Sequence, residues 1–347
     1  MSLVISRTPY RISFFGGGSD YPEWYRERGG CVLSTAIDKY CYILCRHQPV
    51  FFERKHRIVW SHIETVDTLR EILHPAVREG LKYLGFDDNK GIEIHHQGDL
   101  PARTGIGSSS SFSVGLIHAL MALKGQFPDY QSLAEQAVHL EREILKEIGG
   151  VQDQYAAAYG GFNKITFSKE GVKVTPLGVN KSILETLCEN LVLVYSGKSR
   201  LSSDVSQSIV QNINQKEAYL TLMMDQVEKA EKMLKEGNLD DFGRLLGEGW
   251  RLKKELSGNM TTPEINELYD TAIQSGALGG KLIGGGSAGF LLFYVPRGHQ
   301  RSFKDVLGKF IQASFKIDWE GSTLLLHDNV DLPSGKRVIK EKLLCVG

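Results

Sequence analysis

A run of glycines and serines lies in the first third of the chain: Pro101-Ala102-Arg103-Thr104-Gly105-Ile106-Gly107-Ser108-Ser109-Ser110-Ser111. It stands between a strand-like alternating segment at 91–95 and an apolar, helix-forming stretch at 112–123. Glycines let the backbone bend tightly and approach a ligand closely. The free N–H groups of a first helical turn attract an anion. The run predicts a phosphate-binding loop, although an ordinary helix cap has a similar composition and stays open as an alternative.

The loop differs from the two common glycine-rich nucleotide motifs. A Walker A loop requires a lysine directly after its last glycine, whereas here Ser108 follows Gly107. A dinucleotide fingerprint requires a third glycine within a βαβ unit, and this feature is missing. The four consecutive serines supply hydroxyl groups that can contact phosphate or Mg²⁺.

The remaining sequence predicts two α/β halves, each of which contributes a glycine-rich turn. A strand over 3–15 ends at a triple glycine, and the run at 281–289 leads into an apolar strand at 290–295. A long amphipathic helical region spans about 203–256. The composition changes after about position 179. We therefore expect two domains joined near position 185, which suits a chain of 347 residues.

Bulk composition narrows the class of protein. Lys plus Arg equals Asp plus Glu, 41 each, which removes the usual electrostatic argument for nucleic acid or an anionic membrane as a partner. No apolar run approaches the roughly 20 residues of a membrane span, and the N-terminus lacks the apolar stretch of a secretory signal. Five scattered cysteines without zinc-site spacing are typical of free thiols in a reducing compartment. We expect a cytoplasmic protein.

One carboxylate falls on the apolar side of a helix predicted over 132–148. Glu141 lies one turn from Ala137 and Leu145, whereas the other charged residues of this segment lie on the opposite face. A carboxylate that faces the core needs a cation or several hydrogen-bond donors. A metal ion and a buried Arg or Lys partner both meet that need.

A second carboxylate, Asp153, follows the pair Gly149-Gly150. An aspartate after such a break is most often a helix cap. It can also be a carboxylate that faces a cleft and acts as a general base. Its position alone does not decide between the two.

These features together resemble the family of galactokinase, homoserine kinase, mevalonate kinase and phosphomevalonate kinase, the GHMP kinases. Three motifs appear in the family's order. The first, at 7–21, is similar to the family's opening motif, and the second, at 101–111, matches Pro-x-x-x-Gly-Leu-Gly-Ser-Ser with Ile106 in place of Leu. The third, at 281–289, resembles the C-terminal glycine loop of the family.

The resemblance implies an α+β fold of two domains. The first, 1–185, would be the nucleotide-binding domain, similar to domain 2 of ribosomal protein S5. The second, 186–347, would be ferredoxin-like. The implied activity is transfer of a phosphoryl group from ATP, with Mg²⁺, to an alcohol group of a small molecule.

The resemblance also implies roles for single residues. Asp153 matches the carboxylate that takes the proton of the substrate hydroxyl, and Arg11 matches the cation near the transferred phosphoryl group. Ser109 and Glu141 match the two metal contacts. The residues expected at the ATP phosphates are Pro101, Gly105, Gly107, Ser108, Ser109 and Ser110. The residues expected at the substrate are Gly17, Gly18, Asp20, Gly285, Gly286, Lys198 and Arg200.

The opening motif bears on the substrate. Gly17 and Gly18 replace the Glu-His pair that galactokinases use for their sugar. This opening and the segment at 34–40 resemble the D-glycero-D-manno-heptose 7-phosphate kinases, which phosphorylate the anomeric hydroxyl to give a 1,7-bisphosphate. The fucokinases share a related opening and are the alternative. A phosphorylated sugar needs a second anion site, for which Lys198 and Arg200, then Arg26, Lys39 and Arg103, are the candidates.

Two further hypotheses belong to other classes of protein. A sensor on the same fold would bind ATP and a sugar without turnover, and would be favoured by loss of Asp153, Arg11 or the loop serines, all of which are present. A dinucleotide-dependent oxidoreductase would require the fingerprint that is missing here. The expected partner is a small sugar phosphate, and a homodimer is compatible with the sequence.

Overall fold

The computed structural model describes residues 3–199 and 203–327. The strands are β1 Leu3–Phe15, β2 Gly30–His47, β3 His56–Val59, β4 Ile63–Val66, β5 Ile92–Gly98, β6 Phe162–Ser168, β7 Gly171–Pro176, β8 Leu191–Tyr195, β9 Gly279–Leu282, β10 Phe290–Tyr294, β11 Gln312–Ala313 and β12 Thr323–His327. The helices are α1 Pro22–Arg28, α2 Pro75–Tyr83, α3 Ser108–Leu123, α4 Tyr130–Val138, α5 Gln152–Tyr159, α6 Lys181–Asn190, α7 Ser203–Asn212, α8 Glu217–Glu236, α9 Leu239–Lys254, α10 Pro263–Gln274 and α11 Gln300–Val306.

The first sheet is organised around one long strand, β2. β1 pairs antiparallel with β2 along most of its length, whereas β6 pairs with the first part of β2 and β5 with its last part. The sheet order is β12-β1-β2-β5-β3-β4, with β7 beyond β6. All of these pairs are antiparallel except β3 with β5. β2 is therefore the central strand of the sheet, and Arg11 lies on its neighbour β1, opposite Ala36.

The second sheet is smaller and antiparallel, with the order β11-β8-β10-β9. Its central strand β10 carries the apolar run Phe290–Tyr294, and every residue of that run is buried. α8 and α9 connect the two sheets: α8 packs on β1 and β2, whereas α9 packs on β9 and β10. Phe242 of α9 lies edge-on to Phe14 and Phe15 of β1, with ring centroids 5.5 and 5.2 Å apart. The two halves therefore share an apolar core.

The apolar helix α3 lies against the first sheet so closely that a glycine is needed at the contact. A Cβ at Gly115 would lie 2.9 Å from Thr8 Oγ1, and Ser6 Oγ donates a hydrogen bond of 2.8 Å to the Gly115 carbonyl. Nearly every residue of α3 is buried, as its continuous apolar sequence predicts. This packing fixes where the N-terminus of α3, and with it the serine run, is placed.

The predicted α+β fold of two parts is confirmed, with three differences of detail. The helix predicted over 132–148 is α4 followed by a π-helical segment, His139–Ile144, and ends there. The apolar residues of 67–84 recur at helical spacing and predict one helix over that segment, but the α-helix begins only at Pro75, because proline is well tolerated in a first helical turn. β12 pairs with β1, so the last strand returns to the first sheet. The domain boundary at 185, which falls within α6, stays a prediction. No helix in the described ranges is long and apolar enough to cross a membrane.

Candidate active site

A cleft opens where the two glycine-rich turns meet between the halves. A Cβ at Gly105 would lie 2.1 Å from the Ile283 carbonyl oxygen, so the turns are in direct contact and a side chain at this point is excluded. The Phe290 amide also donates a hydrogen bond of 3.1 Å to the Thr104 carbonyl, a distance typical of a backbone hydrogen bond. Nine of the residues predicted to form the site line this cleft: Arg11, Gly17, Gly18, Asp20, Ser109, Ser110, Glu141, Asp153 and Gly285.

Arg11 and Asp153 form a bidentate ion pair in the cleft. Arg11 Nε lies 2.6 Å from Asp153 Oδ1, and Arg11 Nη2 lies 2.7 Å from Asp153 Oδ2. The third guanidinium nitrogen, Nη1, donates to the Gly105 carbonyl at 2.6 Å. The arginine side chain is buried, whereas 22% of the aspartate side chain remains exposed to the cleft. The fork therefore fixes the orientation of the carboxylate and leaves it accessible to a substrate.

The serine run begins a helix directly beside this pair. Gly107 is the N-cap of α3 and has a φ of 74°, a left-handed conformation that favours glycine. A Cβ there would lie 3.0 Å from Arg11 Cγ and 3.4 Å from Asp153 Oδ2. The N–H groups of the first turn of α3, which have no intrahelical acceptors, thus face the same space as the ion pair. An anion bound to them would lie next to Arg11.

Glu141 lies within the π-helical segment, and its carboxylate is only half satisfied. Its Oε2 accepts hydrogen bonds from Ser110 Oγ at 3.1 Å and Gln154 Nε2 at 2.6 Å. Its Oε1 is buried and has no protein partner. A π-helical turn inserted in a helix often marks a functional position. Here it places a buried carboxylate beside the first turn of α3.

The residues around Glu141 fit a magnesium ion. Mg²⁺ is usually held by one or two carboxylates together with the phosphates of a nucleotide. The unpartnered Oε1 of Glu141 and the hydroxyl of Ser109, on the exposed side of the same turn, are suitable oxygen ligands. When bound, the ion would neutralise phosphate charge. Ser110, rather than Ser109, is the serine hydrogen-bonded to Glu141, and the sequence did not predict this contact.

Glu141→Gln tests this assignment. We expect the Mg²⁺ concentration for half-maximal activity to rise at least about tenfold, because the neutral amide is a poorer ligand.

Burial raises the pKa of Glu141 to about 8, so at pH 7 the folded chain binds a proton that an unfolded carboxyl, with a pKa of about 4.3, has released. The free energy of unfolding therefore falls as the pH rises between these two pKa values, because the unfolded carboxyl is ionised while the folded one still holds its proton. The thermal unfolding midpoint of Glu141→Gln at pH 7 should equal or exceed that of the unmodified chain. A clearly lower midpoint would contradict a buried, protonated Glu141.

Asp20 is buried and held by donors from two segments. Its Oδ1 accepts from the Gly18 amide at 2.9 Å, and its Oδ2 accepts from the Gln152 amide at 3.3 Å and from Gln152 Nε2 at 3.0 Å. A Cβ at Gly150 would lie 1.8 Å from Oδ2, so only glycine fits there. Burial raises the pKa of Asp20 above its ordinary value. This network joins the triple-glycine turn to the start of α5, where Asp153 lies.

The other predicted site residues lie around or away from the cleft. Pro101 and Ser108 belong to the loop before α3, where the Pro101 carbonyl accepts from Thr104 and Ser108 Oγ accepts from the Arg103 amide. Gly286 packs on Met260 in the C-terminal glycine turn. Lys198 does not line the cleft, and its Nζ lies 3.4 Å from Glu264 Oε1 on the surface. Arg200 lies outside the described residues.

The structure adds polar residues that the sequence did not single out. Ser13 and Gln152 line the cleft, and Ser13 Oγ and Gln152 Oε1 are buried without a protein partner. Two buried lysines, Lys253 and Lys281, also line it. Periodicity placed Ser13 in a strand and Lys253 in a charged helix, and neither pattern carries a signal for a site.

Comparison with known proteins supplies the family. The family model described as the GHMP kinases N terminal domain matches residues 70–161, and the model of the GHMP kinases C terminal matches residues 230–309. A D-glycero-alpha-D-manno-heptose 7-phosphate kinase from Campylobacter jejuni is 30% identical over 315 residues, which cover 85% of this chain and 90% of that protein. The chain belongs to the GHMP kinases. It is therefore a phosphotransferase that acts on an alcohol group, and its use of ATP follows from the family.

Other members of the GHMP kinases are also similar. A bifunctional fucokinase/GDP-fucose pyrophosphorylase from Arabidopsis thaliana is 27% identical over 316 residues, 82% of this chain and 29% of that longer protein. The crystal structure of a D-glycero-D-manno-heptose 1-phosphate kinase from Bacteroides thetaiotaomicron superposes with a TM-score of 0.76 at 24% identity. The superposition covers 92% of this chain and 98% of that one, and it supports the fold.

Proposed function

We propose that this GHMP kinase transfers the terminal phosphoryl group of ATP, with Mg²⁺, to the anomeric hydroxyl of a sugar phosphate. The observation that carries the proposal is the Arg11–Asp153 pair, whose carboxylate is exposed to the cleft beside the first turn of α3. A base and an anion-binding helix terminus thus face one another across the space that a reacting hydroxyl has to occupy.

The protein's own groups account for the main steps. The first turn of α3 and Arg11 bind and orient the transferred phosphoryl group. Asp153 accepts the proton of the attacking hydroxyl, for which one of its oxygens must come within about 3 Å of that hydroxyl. Arg11 acts twice, because its guanidinium orients the carboxylate and stabilises the charge that develops on the phosphoryl oxygens. Glu141 and Ser109 would hold Mg²⁺, which would supply further charge neutralisation.

Hydrogen-bonding groups suited to a sugar lie beside the base. Ser13 Oγ and Gln152 Oε1 are buried without protein partners. The carboxylate of Asp20, which accepts from Gln152 Nε2, lies next to them. A buried polar group without a partner is costly, so these groups are well placed to bind hydroxyl groups of a ligand. They support a polyhydroxylated acceptor.

The substrate we propose is D-glycero-D-manno-heptose 7-phosphate, converted to the 1,7-bisphosphate. The proposal rests on similarity to the Campylobacter jejuni heptose 7-phosphate kinase over nearly the whole of both chains. L-Fucose, or another sugar phosphorylated at the anomeric position, is the alternative, supported by similarity to the Arabidopsis thaliana fucokinase.

A coupled ADP-release assay tests the proposal. The panel consists of D-glycero-D-manno-heptose, its 7-phosphate, mannose, mannose 6-phosphate and L-fucose. We expect kcat/KM for the heptose 7-phosphate to exceed that for the neutral heptose by about 10–100-fold, because charge-assisted bonds to the phosphate add binding free energy. A higher kcat/KM for L-fucose than for every phosphorylated sugar would contradict the proposed substrate and favour the alternative.

A further inference from the structure

Two lysines are buried in the cleft without a carboxylate partner. Lys253, on α9, is 9% exposed, and Lys281, on β9, is 4% exposed. Both line the cleft. In the part of the chain that the structure describes, their ammonium groups donate hydrogen bonds only to backbone carbonyls. Two buried cations without a matching anion are unusual in a folded protein.

The backbone contacts leave N–H donors free on both side chains. Lys281 Nζ donates to the Phe14 carbonyl at 2.7 Å, at the end of β1. Lys253 Nζ donates to the Leu282 carbonyl at 3.4 Å and also to the Gly284 carbonyl in the glycine turn. Because an ammonium group has three donors and no acceptor, one remains on Lys253 and two on Lys281. Neutral carbonyls alone do not neutralise these charges.

The two carboxylates that act electrostatically on Lys253, Asp20 and Asp153, are already engaged elsewhere. Glu141 and Glu147 also line the cleft, and in the described residues neither pairs with Lys253 or Lys281. Asp153 is paired with Arg11, and Asp20 accepts three hydrogen bonds from Gly18 and Gln152. The remaining cation of the cleft wall, Arg142, is itself paired with Glu23 at 2.6 Å. The lysines are therefore the charged groups of the cleft that a ligand anion can neutralise without first breaking an ion pair.

The local electrostatics agree with this geometry. Burial, followed by the charge of Arg11, lowers the pKa of Lys253 to about 8. Burial, then the charges of Lys253 and Arg11, lowers the pKa of Lys281 well below its ordinary range. Burial and the mutual repulsion with Arg11 thus disfavour the charged forms of both lysines in the free protein, and only Asp20 and Asp153 act in the opposite direction on Lys253. A bound dianion would relieve that repulsion.

We propose that Lys253 and Lys281 form a subsite that binds a phosphoryl group of a reactant. This inference deepens the proposed function and rests on it. A phosphate monoester has three terminal oxygens, which match the N–H donors that the two lysines leave free. Two sources share this chemistry: the terminal phosphate of the sugar and the terminal phosphate of ATP. Binding measurements with each reactant alone distinguish them.

The test compares Lys253→Met and Lys281→Met with the unmodified chain. Methionine keeps much of the side-chain length and removes the charge. Lys254→Met is the matched control, since Lys254 is the next residue of α9 and stacks on Trp250 rather than lining the cleft. Isothermal titration measures the Kd of heptose 7-phosphate, of the neutral heptose and of a non-hydrolysable ATP analogue with Mg²⁺. Thermal unfolding of each free variant is measured in parallel.

We expect each cleft variant to raise the Kd of one phosphorylated ligand by about 10–100-fold, the range expected for losing a charge-assisted contact. Weaker binding of the heptose 7-phosphate alone, with the neutral heptose unchanged, places the sugar phosphate in the subsite. Weaker binding of the ATP analogue alone places the nucleotide there. Lys254→Met should change neither Kd by more than about twofold. If both phosphorylated ligands bind the cleft variants as they bind the control, the lysines are structural and the inference is overturned.

The outcomes separate this inference from the proposed function. If the unmodified chain binds no phosphorylated sugar, the proposed substrate is wrong. Titration of the ATP analogue into the lysine variants then still tests the subsite. Free cleft variants should unfold at equal or higher temperature, because an uncompensated buried charge has been removed. If both variants misfold, inorganic phosphate is instead titrated into the unmodified chain in the presence of a phosphorylated ligand. Competition between the two supports the subsite, and absence of competition overturns the inference.

Discussion

Asp153→Asn is expected to lower kcat by about 10²–10⁴-fold, the usual contribution of a general base. Asparagine is nearly isosteric and can still accept a hydrogen bond from Arg11, but it cannot take the proton of the attacking hydroxyl. The Kd of the ATP analogue should change little, because Asp153 lies beside the anion-binding turn rather than in it. Steady-state kinetics with the identified sugar, together with titration of the analogue, measures both quantities.

The matched control is Asp225→Asn, an exposed aspartate on α8 that does not line the cleft. It should retain the kcat and KM of the unmodified chain. If Asp153→Asn kept more than about a tenth of the unmodified kcat, Asp153 would not be the base. A role limited to capping α5 would instead appear as a lower thermal midpoint with little change in kcat.

Arg11→Met is expected to have an effect of similar or greater size. An arginine that stabilises the charge of a transferred phosphoryl group contributes about 10³–10⁵-fold to kcat in other phosphoryl-transfer enzymes. Here the same side chain also orients Asp153, so its loss should disturb both functions. Arg11→Lys should restore only part of the activity, because an ammonium group keeps the charge without the planar fork. The measurement is kcat and KM for both substrates.

Arg54 provides the control for the arginine substitution. It pairs with Asp67 in an exposed ion pair, so Arg54→Met removes an Arg–Asp pair outside the cleft. Exposed pairs contribute little stability, and activity should be unchanged. If Arg11→Met raised only the KM for ATP and left kcat intact, Arg11 would serve in ground-state binding rather than in stabilising the transition state.

Much of the fold and part of the site could be predicted because their signals are local. The loop at 101–111 combines glycines that permit a tight turn with an apolar sequence that forms a buried helix, α3. Glu141 was identified because a carboxylate interrupts an apolar stripe, and it is indeed buried. The family resemblance assigned Asp153 and Arg11 to one site, and the structure places them within hydrogen-bonding distance although they are 142 positions apart.

The remainder depends on contacts that periodicity does not encode. Lys253 and Lys254 are adjacent in a helix rich in basic residues, and only the packing of α9 on β9 buries the first of them. The early end of the helix after Ile144 was missed because Ile148 continues the apolar pattern, yet Ile148 is 42% exposed beside the cleft. The pairing of β12 with β1 joins segments more than 300 positions apart, beyond the reach of local patterns.

The proposed phosphoryl transfer takes place at the anomeric hydroxyl of a sugar phosphate. The most direct test is a phosphorus NMR spectrum of the product formed from D-glycero-D-manno-heptose 7-phosphate, ATP and Mg²⁺. We expect two phosphate monoester signals, one coupled to the anomeric proton and one retained at the terminal carbon, and no such product with Asp153→Asn over the same time. A new phosphate at another carbon, or transfer only to a neutral sugar, would contradict it.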